Sequence, residues 1–335
     1  MAVSDEDGIV TNGIQQRSVK AIATEGPLIE IALATYNGER YLPEQLDSLF
    51  AQSWINIRVL ANDDGSSDGT LSILTRYADQ HPDKLSVDCN PIPLGACGNF
   101  ASIMERSAAN YLAFCDQDDI WSASKLARCM VAMQQAEAQH GNSHPVLIYT
   151  DMRLVAGDGS VLSESHWKRA GVRPERARFR NLLAQNLVTG CTMMANRALI
   201  DLALPVPAGD AIMHDYWLSL IASAFGTLIP IPELTVDYRQ HGSNVVGVGG
   251  GLSWVQRLRR FRSDSVLETW LDAAATQASA FLKRFGAVLR EEDRSALTAM
   301  TVLPRQSWLQ RNLTLLRHGI RRTGTLNHLQ FLVRL

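Results

Sequence analysis

Asp116-Gln117-Asp118-Asp119 puts three carboxylates into four residues. Their charges repel one another in a turn, and a divalent cation with oxygen ligands relieves that repulsion. Mg2+ or Mn2+ held there can bridge the phosphates of a nucleotide and neutralise a leaving diphosphate. A solvated acidic turn capping the next helix accounts for the same residues, because DxD patterns are short enough to arise by chance. A second cluster, Asn62-Asp63-Asp64-Gly65-Ser66-Ser67-Asp68-Gly69, offers carboxylates to a ligand's N–H and hydroxyl groups, with two glycines that permit tight turns. Taken alone it reads first as an Asx turn with helix capping. His214-Asp215 opens the helical stretch HDYWLSLIASAF, where the helix dipole favours an ionised acid. A plain first-turn acid fits those residues as well. Arg239 and His241, in YRQHGSN, follow a strand and can grip phosphate or help to ligate a metal; a surface loop is an equal reading. No GxxxxGK[ST] phosphate cradle and no HExxH zinc motif occurs.

These clusters need elements to hold them. Leu28 to Ala34 (LIEIALA) and Asn56 to Ala61 (NIRVLA) read as buried strands, followed by Leu85-Ser86-Val87 and Tyr111 to Cys115. Helical spacing appears between them at Tyr41–Gln52, Leu71–Gln80, Gly95–Ser107 and Ala123–Gln139, with Asp68 or Gly69 as the cap of the second. Strand, loop and helix alternate four times, which predicts parallel strands with covering helices. Ligands of such sheets sit beyond the carboxyl ends of the strands, where the loops after strands one, two and four lie. From Pro145 the pattern changes: strand in VLIYTDMRLV, a hairpin tip at Asp158-Gly159, strand in NLVTGCTMMA, helix over Ala211–Ala224 and strand in LTVDYRQ. GVGGG at 247–251 reads as a linker. Helices are expected beyond it at Ser253–Phe261, Val266–Phe285 and Glu291–Met300, with two more after Pro304.

With 335 residues, 46% apolar, the chain can bury a large core, and 20% charged residues with net charge −2 exclude a disordered polyelectrolyte. The charge is uneven. Residues 252–335 hold 14 Lys and Arg against six acids, and the last 34 residues hold six Arg and no acid. Arg257, Arg259, Arg260, Arg262, Arg311, Arg317, Arg321 and Arg322 interleave with apolar residues, as in segments that lie on anionic lipid or in ordinary packed amphipathic helices. No nucleic-acid motif accompanies them. The five cysteines form no CxxC pair, so buried free thiols are expected. The acidic, polar N-terminus is not a secretory signal and no 18-residue apolar stretch occurs, which points to a cytoplasmic protein, peripheral at most on the inner membrane face.

Taken in order, Ala34-Thr35-Tyr36-Asn37, NDDGSSDGT, DQDDIW, HDYWLSL and YRQHG resemble the family 2 glycosyltransferases of the GT-A fold. DQDDIW, NLVTGCTMMANRAL and YRQHGSN are similar, more narrowly, to bacterial rhamnosyltransferases. The resemblance covers about residues 28–245. It implies an α/β GT-A domain with a nucleotide-binding half (28–140) and an acceptor half (141–245), between a flexible arm (1–27) and a helical basic extension (246–335). It implies that Ala34, Thr35 and Tyr36 contact the nucleoside and that Asp64 with Asp63 meets the base; Arg239, as a phosphate grip after its strand, is expected to help bind the donor. Asp118 becomes the direct ligand of Mg2+ or Mn2+, with Asp116 positioning ribose or metal and His241 touching metal or diphosphate. Asp215 becomes the catalytic base, with Glu233 and Asp237 next in line, and His214 stands where the family has Glu. The implied reaction moves a sugar, rhamnose from dTDP-rhamnose, with inversion to a glycan or lipid-linked acceptor in surface polysaccharide assembly. A non-catalytic sugar-nucleotide-binding scaffold is the rival; the intact Asp64, Asp116, Asp118 and Asp215 speak against it.

Overall fold

The computed structural model describes residues 26–241 and 264–334. Residues 1–25 of the arm, the GVGGG linker and the Ser253–Phe261 helix expected from sequence lie outside them.

The first strand, β1 (Ile29–Thr35), shows why the sheet is buried on both faces. Ile29, Ile31 and Leu33 enter one core and Ala32 the other, the period-two pattern of a strand. The alternating half continues with α1 (Leu42–Phe50), β2 (Ile57–Asp63), α2 (Thr70–Gln80), β3 (Leu85–Cys89), α3 (Gly95–Arg106) and β4 (Tyr111–Cys115). Gly69 is the N-cap of α2, and Asp68 Oδ1 accepts from the Thr70 amide. A two-residue strand, β5 (Ile120–Trp121), follows, too short for a sequence pattern, and then α4 (Lys125–His140).

The second half consists of β6 (Val146–Ala156), β7 (Val161–Ser163), the short helices α5 (His166–Ala170) and α6 (Phe179–Leu182), β8 (Met193–Asn196), α7 (Arg197–Ala203), α8 (His214–Phe225) and β9 (Thr227–Gln240). The strand expected over NLVTGCTMMA is confined to Met193–Asn196, and Gly190–Thr192 form a single 3-10 turn.

Strand order is β3-β2-β1-β4-β8-β6-β9-β5, with β7 paired to β6. β1 is parallel to β2 and β4, and β2 to β3. β8 runs antiparallel to both β4 and β6, and β9 is parallel to β6. Two reversals restore direction, so β6 and β9 point the same way as β1 and β4. The carboxyl ends of β1, β2, β4 and β9 therefore reach one edge, and the reversed β8 begins there.

α9 (Asp264–Phe285), α10 (Glu291–Val302), α11 (Trp308–Arg317) and α12 (Thr325–Arg334) complete the described chain. Leu271, Phe281, Leu297 and Leu315 are buried in the same cluster as Phe114 and Trp217, so the extension shares the core of the sheet. Phe281 packs edge-on to Trp217 with centroids 5.3 Å apart.

Candidate active site

The loop after β1 is tied to the loop after β4. The Tyr36 amide donates to Gln117 Oε1 at 2.8 Å, and Gln117 Nε2 donates to the Tyr36 carbonyl at 2.9 Å. Gly38 makes this clasp fit, because a Cβ there would lie 2.3 Å from Gln117 Oε1. Ala34 is half-buried, Thr35 is buried, and Tyr36 is 55% exposed at the edge.

Asp63 and Asp64 do structural work. Asp63 accepts from Thr35 Oγ1 at 2.8 Å and from the Ser66 amide at 2.7 Å. Asp64 accepts from Asn90 Nδ2 (2.8 Å) and from the amides of Leu94 (2.7 Å) and Gly95 (2.8 Å), which open α3. A carboxylate offers about four lone-pair directions, so Asp64 keeps one for a ligand.

The DQDD acids are crowded: Asp116 is half-buried, and Asp118 and Asp119 are buried. Burial pushes the Asp116 carboxyl up to about 7, and the charges of Asp118 and Asp215 push the same way. Burial raises Asp118 as well, against its His241 partner. His241 Nε2 lies 2.7 Å from Asp118 Oδ2, and the imidazole stacks on Tyr41 at 5.0 Å. Asp119 is fully buried and accepts from the Arg239 amide through Oδ1, with the Cys191 thiol against its carboxyl. Ligand atoms of Asp116, Asp119 and Cys191 lie within 4.8 Å of one another. The carboxylate oxygens suit a hard divalent cation, the Cys191 thiol does not, and the mutual repulsion of these acids is what such a charge offsets.

Arg239 is 4% exposed. Its Nε donates to the Asp118 carbonyl at 3.0 Å, one guanidinium nitrogen donates to the Gly157 carbonyl at 3.2 Å, and the other pairs with Glu44. These bonds fix the DQDD turn against the end of β9.

Asp215 stands in the first turn of α8, 8% exposed. Asn186 Nδ2 donates to its Oδ1 at 3.0 Å and the Gly190 amide to its Oδ2 at 2.9 Å. The helix N-terminus led to the expectation of a low pKa; instead burial raises this carboxyl to about 7, outweighing its hydrogen bonds. The Gly190 amide is thus committed to Asp215 and not to a ladder, which is why the expected strand begins only at Met193. Glu233 and Asp237 stand elsewhere, paired with Arg128 at 3.1 Å and with Arg153. His214 is buried between Phe100 and Phe114, its ring centroid 3.9 Å from that of Phe100, and neither ring nitrogen has a hydrogen bond. Burial lowers it to about 3, so it is a neutral ring beneath the base.

Sequence reasoning missed Asn186, Gly190, Gln117 and Lys125 as parts of the site. Lys125 is 1% exposed, donates from Nζ to the Cys191 carbonyl at 2.7 Å and sits 3.3 Å from the Trp121 ring centroid. A lysine opening a helix reads as solvated; only the acidic run just before it hinted at a buried counter-charge. All five cysteines are free, but only Cys115, Cys129 and Cys191 are buried as expected; Cys89 is exposed and Cys97 intermediate, because they lie at the outer strand β3 and the start of α3.

The sequence profile of Glycosyl transferase family 2 matches residues 30–202, more than half of the chain. A dTDP-rhamnosyl transferase of Shigella flexneri, RfbG, is 26% identical over 64% of this chain and 73% of its own length. An Escherichia coli UDP-Glc:alpha-D-GlcNAc-diphosphoundecaprenol beta-1,3-glucosyltransferase, WfgD, is 25% identical over 65% and 79%. An uncharacterized Mycobacterium tuberculosis protein, Rv1520, is 25% identical over 65% of this chain, which spans 60% of that protein's length. Among solved structures, Staphylococcus aureus TarS 1-349 in complex with UDP superposes with a TM-score of 0.53 at 16% identity, covering 88% of this chain and 92% of its own. The fold is accordingly α/β of the GT-A type with added C-terminal helices. The matched span contains the loops that carry Thr35, Asp64 and the DQDD turn, and the chain belongs to glycosyl transferase family 2.

Proposed function

We propose that the chain is an inverting, cation-dependent glycosyltransferase of cell-surface polysaccharide assembly. It moves a sugar from a nucleotide-sugar donor, dTDP-rhamnose, to a glycan or lipid-linked glycan acceptor. The observation that carries this reading is the convergence of two acidic groups at one sheet edge: the DQDD turn and Asp215, close enough for the Asp215 charge to raise Asp116. The Shigella and Escherichia coli relatives, by their names, support the donor and the lipid-linked acceptor respectively.

In this reading Ala34, Thr35, Tyr36, Asp63 and Asp64 border the nucleoside, and the Gln117 clasp holds their loop in place. Asp116, Asp118 and His241 hold Mg2+ or Mn2+, which when bound supplies the positive charge that stabilises the departing diphosphate. Arg239 keeps the Asp118 turn at the end of β9. Asp215, oriented by Asn186 and Gly190, takes the proton of the acceptor hydroxyl on a free lone pair of its carboxylate. That hydroxyl attacks the anomeric carbon from the face opposite the nucleotide. A base near pH 7 in strength is better matched to this task than an ordinary carboxylate. Among the described residues no helix is long and apolar enough to cross a membrane, and the reading places the protein at the cytoplasmic face as a peripheral enzyme.

A thermal-shift comparison of nucleotide sugars with Mn2+ tests the donor. dTDP-rhamnose should raise the melting temperature most, because a ligand that binds only the native state stabilises it by mass action. A larger shift with UDP- or GDP-sugars would overturn the rhamnose assignment.

A further inference from the structure

The described part of the basic extension divides its arginines between two jobs. Arg311 is turned inward, with its guanidinium on Glu268 at 2.7 and 2.9 Å and on the carbonyls of Leu303 and Pro304 at 3.0 Å. Arg322 is also turned inward, donating to the Ala184 carbonyl at 3.2 Å. Arg305, Arg317 and Arg321 are exposed.

α11 is inverted relative to an ordinary surface helix. Its polar Arg311 and Asn312 are buried beside Leu315, while Leu309, Leu313 and Leu316 are 59%, 55% and 60% exposed. At about 100° per residue these three leucines fall within an arc of roughly 60°, and Arg317 borders it about 40° beyond Leu313. Trp308, 54% exposed, stands at the start of the helix. An outward stripe of this kind is made to be covered.

We infer that this face of α11 lies on an anionic lipid bilayer, with its leucines in the acyl boundary and Arg305, Arg317 and Arg321 at the headgroups. Charge selects this occupant. Residues 302–335 contain no acid, so the same face of a second copy would bring like charges together. A bilayer with anionic lipid supplies apolar depth and negative charge in one surface, and an amphipathic tryptophan suits its interface. Neither signal alone holds a protein firmly, and their combination gives reversible attachment. The Arg311–Glu268 pair fixes α11 from beneath, so the stripe is presented without refolding. The inference deepens the reading of a membrane-borne acceptor by naming the face that reaches it. The vesicle measurement contains no sugar, so the two can fail separately.

The test is co-sedimentation of the full chain with vesicles of phosphatidylcholine alone or mixed with phosphatidylglycerol. Wild type should pellet with the mixed vesicles, stay in solution with the neutral ones, and be released by high salt. The triple variant Leu309→Gln, Leu313→Gln, Leu316→Gln should lose about tenfold or more in partitioning. Arg317→Glu with Arg321→Glu should lose the salt-sensitive part. Both variants change exposed side chains, and unchanged circular dichroism and melting temperature will show that they fold. Equal pelleting with both lipids, or wild-type pelleting of the leucine variant, would overturn the inference. So would a wild-type dimer in sedimentation velocity that the leucine variant dissolves and that ignores vesicles.

Discussion

Asn186 donates its side-chain amide to Oδ1 of Asp215 across 3.0 Å, and four residues later the Gly190 amide holds Oδ2 at 2.9 Å. A carboxylate that must take a proton from a substrate is thereby aimed by two donors from one loop. Asn186→Ala removes one of them. Transfer should fall roughly 10-fold to 100-fold, with donor affinity unchanged, because a positioning donor acts on geometry and not on binding. The hydrogen bond lowers the Asp215 pKa, so its loss should also move the acidic limb of the rate profile to higher pH. An unmoved limb would make Asn186 a packing residue only.

The same carboxyl sets a pH dependence. Burial raises Asp215 to about 7. The base works only when ionised, so rate should be lost as pH falls through that value and gained as it rises. A nearby cation would draw the limb lower and never higher. Initial rates between pH 5.5 and 8.5 at saturating Mn2+ measure it. The stability sign is opposite. A carboxyl whose folded pKa exceeds its unfolded value favours the native state at low pH and loses that contribution as pH rises through the folded value. Metal-free Asp215→Asn should therefore melt higher than metal-free wild type at pH 8, and the gap should shrink toward pH 4.

Metal binding gives a third test. Asp118→Asn leaves the shape of the turn and removes a charge beside His241. Mn2+ should raise the melting temperature of wild type and fail to do so for this variant, and EDTA should abolish wild-type transfer. Full transfer in EDTA would contradict the role of the DQDD acids.

The alternation of strand and helix through Cys115 was readable because each element carries its own period, as Ile29, Ile31 and Leu33 do on β1. The DQDD, NDDG and YRQHG segments were readable as candidates because strand ends put polar loops at one edge. What holds Asp215 was not, since Asn186 lies 29 residues away and no local pattern encodes that contact. Its pKa was misjudged because sequence shows the helix N-terminus but not the burial that outweighs it. Lys125 escaped for the same reason, its charge being placed under Cys191 by tertiary packing.

The extension was legible as helices, not as part of the core. Phe281 is fully buried against Trp217. Phe281→Ala should cost about 3–5 kcal/mol in chemical denaturation. A chain ending at Gly251 should fail to fold, since it would expose the apolar face that α9 and α10 cover. A soluble, donor-binding truncation would show that the sheet domain stands alone.

The central claim is that Asp215 is the base of a transfer reaction. Its direct test is single-turnover formation of glycosylated acceptor by Asp215→Asn, with donor binding measured on the same sample. Donor affinity should stay within about twofold while transfer falls roughly 10²–10⁴-fold. Transfer at the wild-type rate by a variant that binds donor normally would contradict the account.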